Sequence, residues 1–155
     1  MKKLKALLYS TALVALVAIA PESYAQCDFN TKHCNLDLGE FKSNGQFSFA
    51  ALGPGETAEL SLVFYRGLDY KVLVCGNKKL ETLEFKIISS NEEILFDNRD
   101  HADIQDWDFT MTATQRLRLE VKVPGYAFDG DKTKKGCVIV MIGHRESEAK
   151  QESNK

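Results

Sequence analysis

From residue 46 to residue 142 the chain alternates apolar and polar positions with a period of two, in runs of strand length. Gln46 to Leu52 is a short strand, ended by Gly53-Pro54-Gly55, whose backbone freedom and fixed proline φ suit a tight turn. Thr57 to Tyr65 sets Ala58, Leu60, Leu62 and Phe64 on one face and Glu59 and Ser61 on the other. A helix over Glu56 to Tyr65 is the local competitor, disfavoured by the β-rich sequence on either side. Tyr70 to Cys75 (YKVLVC) and Cys137 to Ile142 (CVIVMI) are apolar on both faces, as central strands are. Between them, Leu83, Phe85 and Ile87 alternate with Glu84 and Lys86, and Glu93 to Phe96 completes a hairpin through Ser89 to Glu92. Trp107, Phe109 and Met111 alternate with Asp108, Thr110 and Thr112. Leu117, Leu119, Val121 and Val123 alternate with Arg118, Glu120 and Lys122, and Pro124-Gly125 ends that strand.

Seven or eight short strands at regular spacing, with no helical period among them, predict an all-β chain folded as an antiparallel, jelly-roll-like sandwich. Its expected span is 46–143. A polar segment, 26–45, precedes it, and a charged tail, 144–155, follows. The stretch from Asp97 to Asp106 reads as a polar loop. Cys27, Cys34, Cys75 and Cys137 predict two disulfides, because no Cys-x-x-Cys and no histidine pair offers a zinc site. If YKVLVC and CVIVMI are antiparallel neighbours, Cys75 and Cys137 come within bonding reach, leaving Cys27 to clip Cys34 locally.

The first 25 residues change the picture of where this domain works. Lys2, Lys3 and Lys5 precede an apolar run from Ala6 to Ala20, then Pro21 and Ser23-Tyr24-Ala25, the pattern of a cleaved export signal. The run is shorter than a membrane-spanning helix requires. Relative to Cys27, Gln26 stands where a lipoprotein would carry a small residue and Tyr24 where it would usually carry a leucine. The expectation is an exported protein, periplasmic or extracellular, with no membrane anchor after cleavage. Without Lys2, Lys3, Lys5 and Glu22, the 20 basic and 22 acidic residues fall to 17 and 21, which argues against nucleic acid as a partner.

The strands TAELSLVFYRG, DYKVLVC, LEFKIISSNEEILFDN, WDFTMTA, LRLEVKV and GCVIVMIG, taken in order over Gly55 to Gly143, resemble the small β-sandwiches of the pre-peptidase C-terminal and GOLD-like kind, and also short exported bacterial proteins of unassigned function. The resemblance implies a non-catalytic accessory module that binds or supports other chains. It carries no catalytic residue across, and the four cysteines lie outside its pattern.

Candidate chemistry gathers in two loops. Asp97, Asp100, Asp103, Asp106 and Asp108, with Asn98 and His101, are the densest set of hard oxygen donors, so calcium is the cofactor to weigh, with Asp97, Asp100 and Asp103 as ligands. The spacing matches no EF-hand, with no glycine at the sixth loop position and no glutamate at the twelfth, so a solvated inter-strand crossover is the favoured reading. Tyr126 and Phe128, after Pro124-Gly125, are candidate ligand-binding aromatics. Trp107 could join them as a sugar platform, but it sits in phase with Phe109 and Met111 and belongs to the core. No G-x-S-x-G, H-E-x-x-H or phosphate-cradling glycine loop is present, and three histidines offer little for acid–base work. The leading expectation is a non-enzymatic protein that binds another protein or an envelope glycan through its loops. A calcium-dependent carbohydrate-binding module and a hydrolase with cryptic carboxylates are the alternatives.

Overall fold

The computed structural model describes residues 27, 34, 37–77, 80, 82–102, 104–127 and 134–147. The expected export signal and residues 148–155 of the expected tail lie outside them. Eight strands follow in order among the described residues: β1 Lys42–Leu52, β2 Thr57–Phe64, β3 Leu68–Gly76, β4 Glu84–Ser89, β5 Ile94–Asp97, β6 Asp106–Thr110, β7 Gln115–Lys122 and β8 Gly136–Glu146. They form two antiparallel four-stranded sheets, ordered β1-β8-β3-β6 and β2-β7-β4-β5. The segment weighed as a helix is β2. Asn98–His101 is a single 3-10 turn.

The sheets face each other across one core. Val72, Val74, Val138 and Val140 point inward from the first sheet and Phe85, Ile87, Leu117, Leu119 and Val121 from the second, all buried. The opposite face of β3 and β8 is apolar as well, and the chain before β1 covers it. Cys34, Leu38 and Phe41 pack there against Leu73, Cys75, Ile139 and Met141. Gly143 shows how close this cover lies, since a Cβ on it would meet Phe41 Cβ at 2.8 Å.

That cover corrects the expected cysteine pairing: the bridges are Cys27–Cys137 and Cys34–Cys75, with Cα–Cα separations of 5.4 and 5.9 Å. β3 and β8 are antiparallel neighbours as expected, but Cys75 stands opposite Ile139, and the Asn77 N–H donates to Cys137 O. Cys75 and Cys137 are therefore diagonal on the outer face, and diagonal neighbours stand roughly 7–8 Å apart. Disulfides close at about 4.4–6.8 Å. Each cysteine bonds instead to one delivered by the covering segment.

Two boundaries also move. β1 starts at Lys42, inside the expected N-terminal segment, and β8 continues through His144 to Glu146, inside the expected tail. The extension is held by Arg145, which lies over the Phe41 ring at 4.6 Å and bridges Glu40 at 2.8 Å and Asp69 at 3.3 Å.

The two sides of the sandwich differ because the inward residues of the outermost strands differ in size. On the β5–β6 side, rings stack in series: Phe96 on Trp107 at 4.5 Å, Trp107 on Phe109 at 4.6 Å, and Phe109 on Tyr70 at 5.7 Å. On the β1–β2 side, β1 sets the small residues Ser48 and Ala50 toward the core, opposite Val140 and Val138 in register, with the larger Leu52 buried only at its end, while Phe47 and Phe49 point outward. That side stays open.

Peptide mapping of the unreduced protein should recover Cys27–Cys137 and Cys34–Cys75. The Cys34–Cys75 loop spans 41 residues. Its removal by Cys34→Ala/Cys75→Ala should lower urea-unfolding stability by about 4 kcal/mol on the chain-entropy account.

Candidate functional site

Strand direction gathers four connections at one end of the sandwich: the β1–β2 turn, the β3–β4 and β5–β6 loops and the β7–β8 loop. Both loops singled out from sequence therefore leave from the same end, but their described side chains do not converge on an ion. Asp97 closes β5 with only 7% of its side chain exposed, and it is already neutralised. Arg99 binds it through Nη2 at 2.6 Å and Nε at 3.0 Å, and Lys86 Nζ lies at 3.7 Å. The hydrogen bonds from Arg99 hold the Asp97 carboxyl below its ordinary pKa, against the opposing effect of burial. Asp100 is exposed, and Asp103 lies outside the described residues. Asp106 and Asp108 face the outer side of the first sheet, each 3.2 Å from Lys71 Nζ. Burial disfavours the charge on Lys71, but those hydrogen bonds outweigh it and its pKa is raised. Among the described residues, no three His, Cys, Asp or Glu side chains are grouped to hold a metal. The calcium set thus loses Asp97 to an internal ion pair.

Asn98, expected among the oxygen donors, is instead a fully buried clasp. Its Oδ1 accepts from the Phe85 N–H at 2.8 Å, and its Nδ2 donates to Leu83 O at 2.8 Å and Ile104 O at 3.2 Å. It ties the β5–β6 crossover to the start of β4. A side-chain amide, with both donor and acceptor, can serve a strand's N–H and C=O together, which a carboxylate cannot.

Tyr126 is 73% exposed. Its backbone is not loose, because the Ala127 N–H donates to Pro124 O at 3.0 Å and Val123 and Pro124 behind it are buried. Ile104, 39% exposed, belongs to the β5–β6 loop at the same end. The neighbouring β1–β2 turn is capped by Glu56, which accepts from the Gly53 N–H at 2.9 Å and meets Lys135 Nζ at 3.3 Å. The Gly53 bond, then the Lys135 bond, lower the Glu56 pKa. Phe128 lies outside the described residues. Trp107 is half-buried within the ring stack, so it is not available as a sugar platform.

A second feature was not legible from sequence. Between β1 and β2 a cleft of about 280 Å³ opens, lined by Leu60, Leu62, Phe64, Tyr70, Ile142 and His144 among others. Leu60 and Leu62 alternate correctly for core positions, but nothing in that pattern shows that Ser48 and Ala50 would face them.

No protein-family model matches this chain. No curated protein matches it. Among solved structures, it is similar to Aeromonas hydrophila PliG, a periplasmic lysozyme inhibitor of g-type lysozyme, at 12% identity and a TM-score of 0.49, over 64% of this chain and 85% of that one.

Two measurements check the crossover. Asn98→Ala orphans a buried N–H and a buried C=O, at about 1–3 kcal/mol each, so the urea midpoint should fall by the equivalent of about 3 kcal/mol or more. Asp100→Asn, on the exposed side of the same turn, should stay within about 0.5 kcal/mol. Because the Asp97 pKa is depressed on folding, its stabilisation is fully present above the unfolded carboxyl pKa of about 3.9. It is lost as pH falls through the lower folded value. The stability gap between wild type and Asp97→Asn should therefore be flat from neutral pH to about 4 and shrink below it.

Proposed function

We propose that this chain is an exported, non-enzymatic β-sandwich that binds a partner protein through the loop end carrying Tyr126. The observation that carries the reading is an aromatic side chain 73% exposed on a turn fixed by its own hydrogen bond and backed by the core. Such a residue offers a large contact area while losing little rotamer freedom, which is why tyrosines dominate binding hot spots. Two disulfides support an oxidising compartment, periplasmic or extracellular. At this end Asp97 is engaged by Arg99 and Lys86, and Asp106 and Asp108 by Lys71. A protein partner is favoured over an envelope glycan because Trp107, which a stacking platform would need, is committed to the core.

Biolayer interferometry of immobilised full-length protein, matured by its own export, checks this against soluble envelope proteins, purified g-type lysozyme as a defined probe, and peptidoglycan sacculi. Binding to a protein analyte should weaken about 30-fold in Tyr126→Ala, with an unchanged circular dichroism spectrum. Binding only to sacculi, or protein binding indifferent to Tyr126→Ala, would refute the reading.

A further inference from the structure

The strands at the sheet edges are β1, β6, β2 and β5. Three of them carry features that discourage another strand from adding. The β1 register breaks between Ser43 and Phe47. β5 is four residues long with an irregular register. β6 is five residues long and carries Asp106 and Asp108. β2 has none of these: it runs eight residues in unbroken register with β7, contains no proline, and bears a single charge at Glu59.

The side chains along this edge are unfinished as well. Leu60 and Leu62 point inward beside Leu119 and Leu117, their partners on β7. The β7 leucines are 4% and 2% exposed, whereas those of β2 are only half-buried and line the cleft. Val63, near the end of the same strand, and Tyr65, just beyond it, are 42% and 58% exposed.

The hydrogen-bond phase shows where the free backbone groups point. The Gly55 N–H donates to Val123 O and the Val123 N–H to Glu56 O. Stepping in twos from there, Ala58, Leu60, Leu62 and Phe64 turn their backbone groups to β7, and Thr57, Glu59, Ser61 and Val63 turn theirs outward.

We infer that β2 pairs antiparallel with β2 of a second copy of this chain, about a two-fold axis at Leu60. In that register Thr57 faces the second copy's Val63, Ala58 its Leu62, Glu59 its Ser61, and Leu60 its own counterpart. The outward-turned residues meet one another in four pairs, for roughly eight backbone hydrogen bonds at two per pair. Inward side chains stay inward, so the two clefts meet and become one interior. Charge selects the same register. A shift of two residues one way would set Glu59 against Glu59, which is destabilising. The register centred on Leu60 instead places Glu59 opposite serine, with the second copy's Arg118 next in the row, since Ser61 lies opposite Arg118. The two loop ends then point to opposite poles and stay free, so this inference does not depend on the loop-end reading above.

Sedimentation equilibrium of the full-length protein matured by its own export tests the pairing. A mass of twice the monomer is expected. Ser61→Pro removes only an outward N–H from each copy, so it should raise the dimer Kd about tenfold or more while the β-sheet spectrum is kept. Leu60→Cys should give a dimer cross-linked between the introduced thiols, since the two positions meet at the axis. Ser61→Cys, opposite Glu59, should give none. A protein that remains monomeric at about 100 µM, a dimer indifferent to Ser61→Pro, cross-linking through Ser61→Cys instead, or a monomer whose β2 edge takes an unrelated extended peptide would each overturn the proposal.

Discussion

The pairing of β3 with β8 is the constraint from which the rest of this structure follows. Both strands are apolar on both faces, so one sheet of a two-layer sandwich must be covered twice: once by the opposing sheet, once by something else. The chain before β1 provides the second cover. Leu38 and Phe41 close over Leu73, Ile139 and Met141, and two disulfides fasten the segment to the sheet it crosses. The cysteine pairing, the glycine at 143 and the extension of β8 past it all answer to this one requirement, because each lets the covering segment lie flat on the sheet.

The sandwich is closed unequally. Where β5 and β6 meet, large rings fill the space between sheets. Where β1 and β2 meet, Ser48 and Ala50 leave it unfilled, and the edge of β2 is bare. Polar chemistry is similarly settled: Asp97, Asp106 and Asp108 are bound to lysine or arginine within the chain. Among the described residues, Tyr126 at the loop end and Val63 and Tyr65 beside the β2 edge stand exposed.

The acidic loop shows where sequence reading of a site stops. Counting oxygen donors between residues 97 and 108 gave a candidate ion site, yet donor type says nothing about what each donor faces. Arg99, two residues after Asp97, was visible in the sequence as a potential partner, and a 3-10 turn brings the two together. Asn98 gave no signal, because its three partners come from β4 and the far side of the crossover.

The strands themselves were legible because period-two alternation is a local property, set by which side of a pleated backbone each residue occupies. The β-sandwich class and the two disulfides followed from that alternation and from four cysteines. Which cysteines join could not, since Cys75 and Cys137 reach their partners only through a segment that has no strand pattern of its own. The orientation of β1 could not either: Phe47-Ser48-Phe49-Ala50 alternates equally well with its aromatics inside or outside, and hydrophobicity alone would have put them inside. The register against β8 decided it, because a shift of one residue exchanges every side chain between the faces of a strand, and that choice belongs to the folded sheet as a whole.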